Sequence, residues 1–168
     1  MPLYFLGLGA NTPGPQGLPI ETLAWTRNRL EEFGELRASH IFVTAPMHRS
    51  DQPDYANQVV SLETILSPRQ LHARLTAIES AGGRDRSREV RYGSRPLDLD
   101  VLLVDDVVLS SPFLTVPHPR MHLRPFVLIP LLQIAPAMRD PRSGLPWRSY
   151  PAARGEAIGS RPSPGESI

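Results

Sequence analysis

The 168-residue chain contains no cysteine and no lysine. Without cysteine it can form neither a disulfide framework nor a thiolate metal centre. Without lysine it cannot build a Walker-type phosphate loop, which needs that side chain to reach the phosphates. Schiff-base chemistry and lysine general bases fall away for the same reason. All 18 residues counted as Lys or Arg are therefore arginine, a planar guanidinium that suits carboxylate and phosphate oxygens. No apolar run approaches the roughly 20 residues of a membrane-spanning helix, and no signal-peptide pattern opens the chain. A cytoplasmic location with no membrane partner is expected. The formal net charge is +1, which gives no global attraction to nucleic acid, so an anion site has to be local.

The length fits one domain with a substantial core. Leu3 to Asn11 reads as a buried strand running into a turn, with Gly7 and Gly9 permitting close approach. A dinucleotide fingerprint is rejected, because Gly14 falls between Pro13 and Pro15 rather than opening a helix. From Pro19 to Phe33, Ile20, Leu23, Leu30 and Phe33 recur near helical spacing, and Gly34 suits the stop. His40–Thr44 and Gln58–Thr64 read as strands, the second with Val60, Leu62 and Thr64 on one face. Ser67-Pro68-Arg69-Gln70 predicts a helix start with a capping box, and Gly82-Gly83 its end. A short strand is expected over Val107–Leu109. Pro125 and Pro130 predict two short helices or one kinked helix between Met121 and Ala135. The order β-α-β-β-α-β predicts an α+β, ferredoxin-like (split βαβ) antiparallel sheet with additional helices packing on it. Residues 1–139 are expected to form a single domain. Residues 140–168, rich in Pro, Gly and Arg, are expected as a C-terminal extension whose start Trp147 pins.

The stretch from Gly83 to Val104 organises the rest. Its first half carries five arginines, Arg84, Arg86, Arg88, Arg91 and Arg95. Its second half alternates, so Leu97, Leu99, Val101 and Leu103 share one strand face and read as core. Asp98 and Asp100 share the other face, about 7 Å apart at Cα. Two carboxylates so spaced can converge on a hard divalent cation, and magnesium typically takes one or two carboxylates plus water and phosphate oxygens. Arginines just upstream suit the phosphates. A half-exposed sheet edge whose arginines neutralise its acids has the same pattern, and the segment alone leaves both readings open.

Several motifs in order decide between them. These are Leu8-Gly9-Ala10-Asn11, Asp51-Gln52-Pro53-Asp54-Tyr55-Ala56-Asn57, Arg91-Tyr92-Gly93-Ser94-Arg95-Pro96-Leu97-Asp98-Leu99-Asp100 and Leu114-Thr115-Val116-Pro117-His118, followed by Arg124-Pro125-Phe126 and Ile134-Ala135-Pro136. Together they resemble the 6-hydroxymethyl-7,8-dihydropterin pyrophosphokinase family of folate synthesis, from the first strand to about Ala137. The resemblance implies a magnesium-dependent transfer of pyrophosphate from ATP to the pterin hydroxymethyl group, with AMP released. It implies Asp98 and Asp100 as ligands of two magnesium ions, and Arg84 and Arg95 as catalytic phosphate grips. Glu79, Arg86, Arg91, Thr115, His118 and Arg124 fall at ATP-binding positions, and Thr44, Met47, Tyr55, Asn57 and Phe126 at the pterin pocket. Tyr55 and Phe126 are expected to stack on the flat pterin, while Asn57 offers a donor and an acceptor to its amide edge. A monomer binding only small molecules is expected. The alternative is a non-catalytic ferredoxin-like module binding pterin or RNA through its arginine segment. That segment has only Tyr92 as an aromatic, which is no stacking platform for single strands.

Overall fold

The computed structural model describes residues 1–45, 51–91 and 93–155. Strand β1 (Leu3–Ala10) leads into helix α1 (Pro19–Glu31). Strands β2 (Glu35–Ala38), β3 (Phe42–Thr44) and β4 (Tyr55–Glu63) follow, then helix α2 (Pro68–Ala81) and strand β5 (Asp98–Val104). The main sheet is antiparallel with order β2-β4-β1-β5, and β3 also pairs with β4. β2 and β3 meet different stretches of β4, at 60–63 and 55–57, so they are two halves of one interrupted edge. This is the expected ferredoxin-like sheet, with the first half of that edge added to the predicted strand near His40–Thr44. A small hairpin, β6 (Leu109–Ser110) with β7 (Thr115–Val116), replaces the strand expected at Val107–Leu109. Helix α3 (Pro125–Ile134) then runs with Pro130 inside it.

Local chemistry explains the helix starts. Ser67 accepts a hydrogen bond from the Gln70 amide at 3.3 Å while Gln70 Oε1 accepts from the Ser67 amide at 2.9 Å, the reciprocal box that the sequence predicts. α1 makes only half of one: Glu21 accepts from the Leu18 amide at 2.7 Å, and Leu18 has no side-chain oxygen to return it. α1 buries Thr22, Leu23, Thr26 and Leu30 on the sheet and leaves Ile20 exposed. Gly34 follows because a Cβ there would lie 2.0 Å from the Glu63 carbonyl oxygen.

The sheet carries a core on each face. Tyr4, Leu6 and Leu8 of β1, Val60 and Leu62 of β4, and Leu99 and Val101 of β5 face α1 and α2. Phe5, Val59, Leu102 and Leu103 face Val127, Leu128 and Leu131 of α3. Strict alternation would have put Leu103 with Leu99 and Val101. The β1–β5 register slips between Phe5 and Leu6, however, and this bulge carries Leu102 and Leu103 into the same second core.

The chain beyond Asp140 packs as far as it is described. Trp147 is fully buried in the second core, Ala152 joins it, and the Trp147 ring lies 5.1 Å from that of Tyr150. A composition typical of extensions thus conceals one large apolar anchor. No helix among the described residues is long and apolar enough to cross a membrane.

Asp140 fastens this segment. Its buried carboxylate accepts from the Arg142 backbone amide at 2.9 Å, from the Arg142 guanidinium at 2.7 Å and from the Tyr150 hydroxyl at 2.7 Å. Burial pushes its pKa up, but the Arg142 and Tyr150 hydrogen bonds outweigh this and hold the carboxyl below its usual value. A group depressed on folding stabilises above its unfolded pKa and loses that contribution as pH falls through the folded one. Asp140→Asn should therefore cost about 2 kcal/mol in urea unfolding at pH 7. The penalty should begin to shrink below roughly pH 4, where the unfolded carboxyl protonates, and vanish only at lower pH, once the native carboxyl is neutral too. A penalty independent of pH would refute the assignment.

Candidate active site

The β1–β5 ladder places Gly9 opposite Asp98 and Gly7 opposite Asp100. On the other flank of β1, Gly9 meets Asn57 and Gly7 meets Val59 of β4. Directly opposed residues project to the same face of a sheet. Two missing side chains therefore open a trough on the second face, between Asn57 and the carboxylates. α3 covers the rest of that face. Thr44, Tyr55, Asn57, Arg95, Asp98, Asp100, Arg124 and Phe126 all line the resulting cleft.

Charge is concentrated along one wall. Asp98 Oδ1 accepts from Arg84 Nη1 at 2.6 Å, and its Oδ2 lies 3.3 Å from Arg95 Nη1. Asp100 Oδ2 lies 3.7 Å from Arg124 Nη1 and 4.0 Å from His118 Nε2. Burial, and after it the negative charge of Asp98, pushes the Asp100 carboxyl up to about 7, against the pull of Arg124. Burial and then Arg124 bring His118 down to about 4, so the imidazole is neutral at pH 7. Its Nδ1 accepts from the Arg120 amide at 3.1 Å, which leaves the proton on Nε2, facing Asp100. Arg95 Nε is buried with no hydrogen-bond partner. A buried donor without a partner is costly, so this atom is open to an anionic ligand.

Arg84 is held more tightly than any other cation here. Its side chain is only 7% exposed and donates to Asp98, Glu79 and Glu89. Glu79, on α2, is buried. It accepts from Arg84, from Arg86 Nη2 at 2.7 Å and from the Leu99 amide at 2.8 Å. A second depression between the end of α2 and the arginine segment contains Thr76, Glu79, Arg84 and Arg86.

The profile of the 7,8-dihydro-6-hydroxymethylpterin-pyrophosphokinase (HPPK) family matches residues 5–136. The chain belongs to the HPPK family. It is 38% identical over 145 residues to a 2-amino-4-hydroxy-6-hydroxymethyldihydropteridine pyrophosphokinase from Haemophilus influenzae, covering 83% of this chain and 85% of that protein. A protein of the same name from Pseudomonas aeruginosa is 39% identical over 137 residues, covering 82% and 83%. A mitochondrial folate synthesis bifunctional protein from Pisum sativum is 39% identical over 114 residues, which is 68% of this chain and 22% of that one.

The fold of this HPPK-family chain gathers most of the residues singled out in the sequence. Asp98, Asp100, Arg95, Arg124, Thr44, Tyr55, Asn57 and Phe126 share the main cleft, and His118 reaches Asp100. Arg84, Glu79 and Arg86 share the adjoining depression. Thr115 lies on β7 beside β5 and lines neither space, and Arg91 is exposed on the arginine segment. Met47 lies outside the described residues, as do Arg49 and Tyr92.

Two residues escaped the sequence reading. Glu89 falls in the arginine-rich segment with no role of its own read from the sequence. Asn11 looked like the end of a strand, and no local signal separates a buried clasp from a turn asparagine. It is buried, and its amide donates to Gln52 Oε1 and the Pro53 carbonyl, both at 3.3 Å. Its Oδ1 accepts from the Arg95 amide at 2.8 Å, and its own amide donates to the Arg95 carbonyl at 3.1 Å. Asn11 thus ties β1 to the segment before Tyr55 and to Arg95. Asn11→Ala should cost about 1–3 kcal/mol. It should also speed amide hydrogen exchange at Arg95 without changing exchange in β4. Unchanged protection at Arg95 would rule out the clasp.

Proposed function

We propose that the chain transfers a pyrophosphoryl group from ATP to the hydroxymethyl oxygen of 6-hydroxymethyl-7,8-dihydropterin, releasing AMP, as a step of folate biosynthesis. The observation that carries the reading is the convergence, in one cleft, of a same-face carboxylate pair, an unpartnered buried arginine nitrogen and two aromatic rings.

The pterin would lie in the trough over Gly9, between Tyr55 and Phe126. Asn57 Nδ2 donates to Thr44 Oγ1 at 2.7 Å, which fixes the amide plane. A Cβ on Gly9 would lie 3.4 Å from Asn57 Oδ1, so this acceptor overlooks the trough and suits an amide edge. Arg124 lies over the Phe126 ring at 5.7 Å and holds it toward the same space.

Asp98 and Asp100 would hold magnesium, two ions in this reading. Their donor set fits: hard carboxylate oxygens that share one strand face and line the cleft. Among the described residues no group of three His, Asp or Glu closes a cage, which leaves room for water and phosphate oxygens. When bound, the metal offsets charge on the phosphates. The protein's own part is positioning. Arg95 Nε, Arg84 and the His118 Nε2–H would grip phosphate oxygens so that the hydroxyl meets the β-phosphorus in line. The oxygen–phosphorus bond forms as the bond from that phosphorus to the α–β bridging oxygen breaks; AMP departs with the bridging oxygen, and the hydroxyl proton is released to solvent.

Incubation with ATP, magnesium and the hydroxymethyl dihydropterin should yield AMP and the pterin diphosphate; ADP, or no nucleotide product, would overturn the reading. Asp98→Asn should lower turnover about a hundredfold or more, the scale of losing one electrostatic contact to a transition state. Full activity in that variant would end the metal assignment. Gly9→Val should keep the fold, since valine suits a strand, yet abolish pterin binding in calorimetry by filling the trough. Retained binding would move the pterin elsewhere.

A further inference from the structure

Three carboxylates surround the Arg84 guanidinium, and they are not equivalent. Glu79 sits on α2 and also accepts from Arg86 and the Leu99 amide, and Asp98 belongs to β5. Both hang from regular elements, and Glu79 is further held by its other two donors. Glu89 stands in the irregular stretch between the short 3₁₀ turn Arg86–Arg88 and the turn closed by the Gly93 amide on the Val90 carbonyl. Its side chain is 23% exposed, against 3% for Glu79. It takes one whole edge of the guanidinium: Nε donates to Oε1, and Nη2 donates to Oε2 at 3.2 Å. Nη1 is meanwhile spent on Glu79 and Asp98. The edge that Glu89 holds is therefore the only paired set of Arg84 donors that a ligand could take over. It is also a fork that accepts carboxylate and phosphate oxygens alike.

We propose that Glu89 is a phosphate stand-in: it occupies the Nε–Nη2 edge of Arg84 until a polyphosphate displaces it, and so sets the affinity of the site for nucleoside triphosphate. The inference rests on the reading of the cleft as an ATP site and adds a residue to it. Without nucleotide, a buried arginine would otherwise keep a two-donor edge unsatisfied, at a cost in stability. With nucleotide, Glu89 must swing clear, because a carboxylate left in place would repel the incoming phosphates. Glu89 thus keeps Arg84 in its working rotamer and competes with the ligand that Arg84 is there to bind. It is a positioning residue that is removed from the edge before chemistry.

The discriminating property is the sign of the effect. Damage to a merely structural contact weakens ligand binding, whereas loss of a competitor tightens it. Glu89→Ala and Glu89→Gln should each bind ATP about tenfold more tightly than the parent, the scale of one charged hydrogen bond. Inorganic tripolyphosphate should gain equally as a competitor, and the KM for ATP should fall while that for the pterin stays constant. Glu89→Asp, which keeps the charge, should gain least. In an Arg84→Gln background the gain should vanish, since the contested edge is gone. Unchanged or weaker ATP binding in a Glu89→Ala protein that melts cooperatively would overturn the proposal, and so would a gain that survives in the Arg84→Gln background. A parent protein that binds neither ATP nor tripolyphosphate would instead overturn the ATP reading on which it rests.

Discussion

The antiparallel register of β1 against β5 is the constraint on which the site depends. It sets glycine against aspartate twice, Gly9 to Asp98 and Gly7 to Asp100, and so converts a two-residue period into a cavity. Any residue with a side chain at positions 7 or 9 would project into the space that the carboxylates overlook. The other face of the same strands shows the contrast: Leu6, Leu8, Leu99 and Val101 fill it completely against α1 and α2. One ladder therefore supplies a packed core on one side and an open floor on the other. The bulge between Phe5 and Leu6 marks where the open floor ends, because beyond it Leu102 and Leu103 return the second face to packing.

β5 is the last strand of the sheet, and its outer edge has to be satisfied by something other than a strand. The residues that do this are those that surround the carboxylates. Glu79 accepts the Leu99 amide, and the His118 amide donates to the Leu102 carbonyl at 2.8 Å. Edge protection and site construction are thus one set of contacts. Because Glu79 also holds Arg84 and Arg86, helix α2 is locked to the strand at the position where the charge of the site is concentrated. Acids and arginines neutralise one another along this wall, but burial, and after it the charge of Asp98, still makes the Asp100 carboxyl resist ionisation.

Much of this was legible from the residues alone. Alternation in Leu97–Val101 placed the two aspartates together, and the capping box of α2 was readable letter by letter. The order of elements gave the sheet, and a family resemblance carried in separated motifs gathered Tyr55, Asn57, Arg95 and Phe126. What stayed hidden was set by tertiary context. Leu103 changed face because a bulge lies between strands, and nothing local announces one. The edge strand divided into β2 and β3, with Ser39 still donating its amide to Val59 across the gap. Nothing local marks Glu79 as buried, since a buried carboxylate differs from an exposed one only by the arginine that reaches it. Trp147 was legible as a pin for the Pro- and Arg-rich segment, but its full burial depends on α3.

That last contact explains why the cleft stays open instead of closing over its glycines. α3 begins at Pro125, so its first turn stands at the rim, with Arg124 and Phe126 turned toward the cleft and Val127, Leu128 and Leu131 seated in the second core. The helix cannot slide further over β1 without lifting those three side chains from Phe5, Val59 and Leu102, a loss of about 1.5–3 kcal/mol for each one re-exposed. Behind it, Trp147 and Ala152 fill the same core from the C-terminal side and remove the space into which α3 could retreat. The width of the site is thus fixed by apolar packing that touches no reacting group. The polar residues need only be placed on the strands and on the first turn of the helix that this packing holds apart.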